Sequence, residues 1–119
     1  MRDHRSLTAW QKANEVTRWV IGASQHGFRP AVRVPFYQLQ TTSLATQLHI
    51  ARGHALRKTH LFRKHLVLAY AAAIETDELL RLMEATHLVH SEEVVSVLQA
   101  TDQLKTILLG LIREYRHYR

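Results

Sequence analysis

Residues 59–87 read THLFRKHLVLAYAAAIETDELLRLMEATH, and this stretch decides the fold. Phe62, Leu66, Ala69, Ala73, Thr76, Leu80 and Met83 alternate at spacings of four and three, which places them along one face of an α-helix. Neither Pro nor Gly interrupts the run. The spacing predicts a helix over residues 60–87, capped by Thr59, about 40 Å long at the usual rise per residue. Toward the C-terminus, Ser91 is placed to cap a helix over 92–116, with Glu92 and Glu93 at the positive end of its dipole. Val94, Leu98, Thr101, Leu104, Leu108, Leu111, Tyr115 and Tyr118 mark its buried stripe. Toward the N-terminus, Tyr37, Thr41, Leu44, Leu48, Ala51 and Ala55 predict a seam on a helix over 37–57. Thr8 and Gln11 have capping-box spacing for a helix over 8–26, which Leu7, Trp10, Ala13, Val16 and Val20 make amphipathic. Gly27, Pro30 and Pro35 are expected to separate the first two helices, because proline lacks an amide donor.

Four such helices with short connections predict an all-α, antiparallel, up-down-up-down four-helix bundle over residues 1–119. A chain of 119 residues is the size of one domain, and 46% hydrophobic with 22% charged residues suits a chain that buries a core. With no cysteine, disulfides, thiolate metal sites and a cysteine nucleophile are excluded. The longest apolar run, Leu66 to Ile74, is nine residues, against roughly 20 for a bilayer-spanning helix. No apolar segment follows Met1-Arg2-Asp3-His4-Arg5, so the expectation is a soluble cytoplasmic protein without a membrane partner. Leu39, Ile50, Leu61, Val67, Leu68, Tyr70 and Ile74 fall off the predicted seams, and this second apolar face predicts partner subunits.

Charge is distributed unevenly. Between Val16 and Ile74 there is no acid, while Arg18, Arg29, Arg33, Arg52, Arg57, Lys58, Arg63 and Lys64 give +8. From Glu75 to Arg119 five basic residues meet eight acidic ones, a net −3. An acid-free half with clustered cations suits a polyanion, since each neutralised phosphate releases counterions. The candidate nucleic-acid-binding residues are Arg52, Arg57, Lys58, Arg63 and Lys64, around the connection between the second and third helices. Cations that meet phosphates give affinity without base readout. Tyr115 and Tyr118, beside Arg113, Arg116 and Arg119, are weaker candidates for stacking on unpaired bases.

Catalytic patterns are missing. There is no Gly-x-Ser-x-Gly elbow, Gly-rich phosphate loop or dinucleotide fingerprint. The adjacent pairs Asp77-Glu78 and Glu92-Glu93 point to different faces of a helix and build no acid and base across a cleft. Glu84-x-x-His87 and Glu114-x-x-His117 have the spacing used by di-iron bundles, but they fall at opposite ends of an antiparallel pair, and the second helix offers no acid. The histidines between 49 and 65 are five or six residues apart and do not stack on one helical face. No metal, no cofactor and no enzymatic activity are expected.

His49-Ile50-Ala51-Arg52-Gly53, followed by Phe62, Leu66, Ala69 and Glu75, resembles without a gap the Asn-Ile-Ala-Glu-Gly stretch of the four-helix-bundle family encoded by 23S rRNA intervening sequences. Leu7-Thr8-Ala9-Trp10-Gln11-Lys12-Ala13 is similar to the opening of that family, and Ile107-Leu108-Leu109-Gly110-Leu111-Ile112 to its closing helix. His49 and Arg52 depart from it, standing where the family has Asn and Glu. The resemblance implies a closed homopentamer around a basic channel, without established enzymatic activity. Its distant likeness to the accessory variability proteins of diversity-generating retroelements implies a reverse transcriptase and its template RNA as partners. The expected function is a basic, oligomeric, non-catalytic bundle that binds RNA or DNA. The competing reading is a protein-interaction scaffold with no nucleic-acid role.

Overall fold

Four helices follow one short 3-10 turn in a computed structural model that describes residues 3–25, 30–56 and 58–115. The turn covers His4–Ser6, and the helices are α1 (Thr8–Ser24), α2 (Pro30–Leu56), α3 (Thr59–Ala85) and α4 (Ser91–Glu114). Each helix packs on two neighbours in the cyclic order α1, α2, α3, α4, and the α2–α3 pairing is the most extensive. The protein is an all-α four-helix bundle, 47 Å long and about as wide as it is deep. Among the described residues no helix is long and apolar enough to cross a membrane.

The helix starts differ from the predicted caps by one residue. Thr8, Thr59 and Ser91 are the first helical residues, and Leu7, Lys58 and His90 occupy the capping positions in extended conformation without a side-chain cap. The Thr8–Gln11 capping box is absent; Gln11 Nε2 instead donates to the Arg5 carbonyl at 3.1 Å, and Asp3 caps the 3-10 turn through the Arg5 amide at 2.9 Å. Glu92 and Glu93 do stand in the first turn of α4.

Helix α2 begins seven residues earlier than predicted, at Pro30, and contains Pro35. Pro30 suits a first helical position, where its missing amide would have had no intrahelical acceptor anyway. Pro35 removes one donor near the helix start, and its ring lines an apolar groove of about 380 Å³ with Val34, Leu79, Leu82, Met83 and Leu88. Gly27, expected to help end the first helix, lies outside the described residues.

The predicted stripe of α3 is the buried one: Phe62, Leu66, Ala69, Ala73, Thr76, Leu80 and Met83 all enter the core. On α4, Val94, Thr101, Leu104 and Leu108 are buried, with Leu98, Leu111 and Tyr115 packed at its edge and Tyr118 outside the described residues. On α1, Ala13, Val16 and Val20 are buried as predicted, Leu7 and Trp10 pack at the core's edge, and Ala9 and Thr17 join the core.

The predicted seam of α2 is wrong by nearly half a turn. Its core face is Val32, Phe36, Leu39, Thr42, Ser43, Thr46 and Ile50, whereas Tyr37 is 66% and Leu48 56% exposed. Small hydroxylated residues make this inner face, and each hydroxyl has a bond. The Thr46 hydroxyl donates to the Thr42 carbonyl at 2.9 Å, and the Thr76 hydroxyl meets that of Thr42 across the α2–α3 interface at 2.9 Å. Burial of these groups therefore leaves no hydroxyl unsatisfied. Two of the seven off-seam residues, Leu39 and Ile50, are core; Leu61 and Tyr70 are half-buried, while Val67, Leu68 and Ile74 stay exposed.

Gly53 fixes how closely α2 approaches α3. A Cβ there would lie 2.8 Å from His65 Cβ and 3.0 Å from Phe62 Cδ1, so a side chain would push the helices apart.

Candidate nucleic-acid interface

The connection between α2 and α3 is short, so it brings the end of one helix and the start of the next to one end of the bundle. No acid occurs in α2 or in the first turn of α3. Arg52 is exposed near the end of α2, Lys58 is exposed at the capping position of α3, and Lys64 is exposed in its second turn. Arg63 is half-buried, and its Nε is enclosed with no hydrogen-bond partner. Adjacent helical residues point about 100° apart, so Arg63 and Lys64 serve different faces. Arg57 lies outside the described residues. None of the ion pairs among the described residues engages Arg52, Lys58, Arg63 or Lys64.

The backbone adds to this potential. Lys58 supplies no side-chain cap, so the amides that open α3 stand at the positive end of the helix dipole, next to Lys58 at the capping position. Such a terminus favours an anion.

Between the cations sits a pair the sequence reading did not single out. His49 of α2 and His65 of α3 face each other with Nδ1 to Nδ1 at 3.0 Å and ring planes 29° apart. Burial, followed by the charges of His65 and Arg52, holds His49 below its ordinary pKa. Burial, followed by Arg52 and Lys64, does the same to His65. Arg52 and Lys64 thus share one neighbourhood across the helix pair. A signal for the contact exists in the sequence: both histidines lie eight residues from position 57, at equal distance from the turn of an antiparallel hairpin.

The other candidates are arranged less favourably. Tyr115 packs edge-on against Phe62 with centroids 5.1 Å apart, so its ring serves the end of the core. Phe62 also meets His54 edge-on at 6.1 Å. Tyr118, Arg116, His117 and Arg119 lie outside the described residues. Among the described residues no three His, Asp or Glu side chains form a group that could hold a metal ion.

The C-terminal half handles its cations differently. Arg81 Nε donates to Asp77 at 2.9 Å, Lys105 reaches the same carboxylate oxygen at 3.4 Å, and both cations also contact Asp102. This network joins α3 to α4. Neither a protein-family model nor a curated protein matches the sequence.

Proposed function

We propose that this chain is a non-catalytic helical bundle that assembles with copies of itself and holds nucleic acid by its phosphates at the α2–α3 turn. The observation that carries this reading is a set of exposed cations, Arg52, Lys58 and Lys64, that no carboxylate engages among the described residues. Elsewhere in the same molecule Arg81 and Lys105 are neutralised, so the contrast belongs to the site rather than to the overall composition. Contacts of this kind track a sugar-phosphate backbone and read no bases.

Self-assembly is supported by the outer stripe of α2, where Tyr37, Leu44 and Leu48 repeat at heptad spacing and remain exposed on the isolated bundle. On the resemblance to the 23S rRNA intervening sequence family, we take the assembly to be a cytoplasmic homopentamer, which would repeat the basic turn around one axis. A reverse transcriptase and its template RNA are the partners that the same resemblance suggests.

The test is binding of labelled single-stranded and duplex RNA and DNA at two salt concentrations. Affinity should fall steeply with salt, with a logarithmic slope of about −0.7 to −0.9 per phosphate contacted. The triple reversal Arg57→Glu, Lys58→Glu and Arg63→Glu should weaken binding to all sequences alike. Absence of binding at low salt would leave the protein-interaction scaffold as the reading. Light scattering tests the assembly separately: a monomer at micromolar concentration defeats it, and Leu44→Glu with Leu48→Glu should convert an oligomer to a monomer.

A further inference from the structure

The His49–His65 contact differs from the hydroxyl bonds around it because its strength depends on how many protons it holds. With both rings neutral, one Nδ1 carries hydrogen and donates while the other accepts, which the 3.0 Å separation allows. One added proton preserves the arrangement, since an imidazolium Nδ1–H still donates to a neutral Nδ1. A second proton abolishes it. Both Nδ1 atoms then carry hydrogen, neither accepts, and two positive rings face each other with centroids 5.3 Å apart.

Relief is hindered on both sides. The α2 backbone at Gly53 already lies so close to His65 that an added Cβ would sit 2.8 Å from His65 Cβ, so the helices cannot slide inward. Among the described residues the charges that act on the rings, besides that of His65 on His49, are Arg52 from α2 and Lys64 from α3, both positive. The 3-10 turn, which also packs on α2, holds His4 against Trp10 and Arg5 on Asp3. Among the described residues no carboxylate, including those of α1 and α4, acts on either ring. Acid-free surroundings also disfavour a metal cation between these nitrogens.

We propose that the His49–His65 contact is an acid-operated latch: closed with one proton or none, it opens the turn end of the α2–α3 pair when both rings are protonated. Opening would part Arg52 from Lys64 and uncover Phe62, changing the surface at this end of the bundle. The device stands on the ring geometry and is independent of what the turn binds.

The direction of the pH effect follows from proton counts. Both rings titrate below their ordinary value in the folded chain, so the unfolded chain takes up protons first as pH falls. The latch contributes fully above the ordinary histidine value of about 6.5 and is lost as pH drops from there toward the lowered folded values.

Two measurements on the full chain, made in the presence of EDTA, test it. In NMR titration of the histidine side chains, His49 and His65 should titrate as a coupled pair, the second step lying below the ordinary histidine value of about 6.5. Amide hydrogen exchange, corrected for intrinsic rates, should accelerate at least tenfold over residues 49–56 and 59–66 between pH 7.5 and 5, and remain unchanged in the middle of α4. The variant with His49→Gln and His65→Gln, which cannot titrate, should lose that acceleration. Independent titration of the two rings, or pH-insensitive exchange at this end, overturns the proposal; the second result would mean that the rings simply swing into water. Because both readouts are obtained on the unmodified chain, a variant that fails to fold does not leave the latch untested.

Discussion

The turn between α2 and α3 and the face between α3 and α4 both concentrate positive charge, yet they treat it in opposite ways. At the α3–α4 face Asp77, only 6% exposed, receives Arg81 and Lys105, and Asp102 closes the network. At the turn, Arg52 and Lys64 have no carboxylate partner among the described residues and lie beside two histidines whose charging they oppose. Buried charge must be compensated within the fold, whereas exposed charge without a carboxylate costs little until something anionic arrives. The first region therefore holds helices together, and the second leaves its potential available to a partner.

The sharpest way to break this comparison is to remove the central carboxylate. Asp77→Ala leaves Lys105, which is mostly shielded, with only the exposed Asp102, and should cost about 3 kcal/mol in urea unfolding. Loss of under about 1 kcal/mol, the range of a surface pair, would show that the network is no more than solvated ornament on the bundle. Reversal at the other region should have the converse signature. Arg52→Glu with Lys64→Glu should reduce affinity for single-stranded RNA at low salt by at least tenfold, flatten its salt dependence, and leave the urea midpoint nearly unchanged, because neither residue has an ion pair to lose among the described residues.

How much of this was legible in the sequence depends on which residues bury. Helix α3 was readable because its inner stripe is apolar and its period unbroken, from Phe62 to Met83. Helix α2 was misread because it carries two stripes. The outer one has Tyr37, Leu44 and Leu48, while the inner one relies on Thr42, Ser43, Thr46 and Gly53, whose small size permits close helix approach. Between residues 42 and 48 hydropathy favours the outer Leu44 and Leu48 over the inner Thr42, Ser43 and Thr46, whose hydroxyls become buriable because carbonyls one turn back satisfy them. The basic turn was visible as a run of cations without acids. The histidine pair was not, because its members are sixteen residues apart and meet only once the hairpin register is fixed.

A smaller effect separates close packing from open surface. Gly53→Ala should lose about 1–2 kcal/mol, since overpacking against Phe62 and His65 outweighs the gain in helix propensity. Gly110 supplies the control: a Cβ there meets nothing within 4 Å, and Gly110→Ala should stabilise by about 0.5–1 kcal/mol. Equal and opposite results at the two sites would place the tight contact of the bundle at the α2–α3 turn; stabilisation at both would mean that the helices part there easily, which would also weaken the hindrance on which the histidine latch depends.

The smallest effect concerns the connection that leads into the paired face. At the end of α3, His87 adopts φ of 59°, the left-handed conformation. Its amide donates to the Glu84 carbonyl at 3.0 Å and the Leu88 amide to the Met83 carbonyl at 2.9 Å, so the carbonyls at the helix end are satisfied as in a Schellman motif. Leu88 and Met83 line the same apolar groove, which supplies the hydrophobic contact that commonly accompanies this motif. Glycine is the usual residue at such a position because a Cβ in the left-handed region costs about 1–2 kcal/mol. His87→Gly should therefore stabilise the chain by about 0.5–1 kcal/mol, part of the relief being offset by the greater freedom of glycine when unfolded. His87→Ala, which keeps the Cβ, should give no such gain. A thermal melt resolves the difference, since about 1 kcal/mol shifts the midpoint of a chain this size by about 4 °C. If glycine and alanine behaved alike, the imidazole rather than the backbone conformation would be holding the turn.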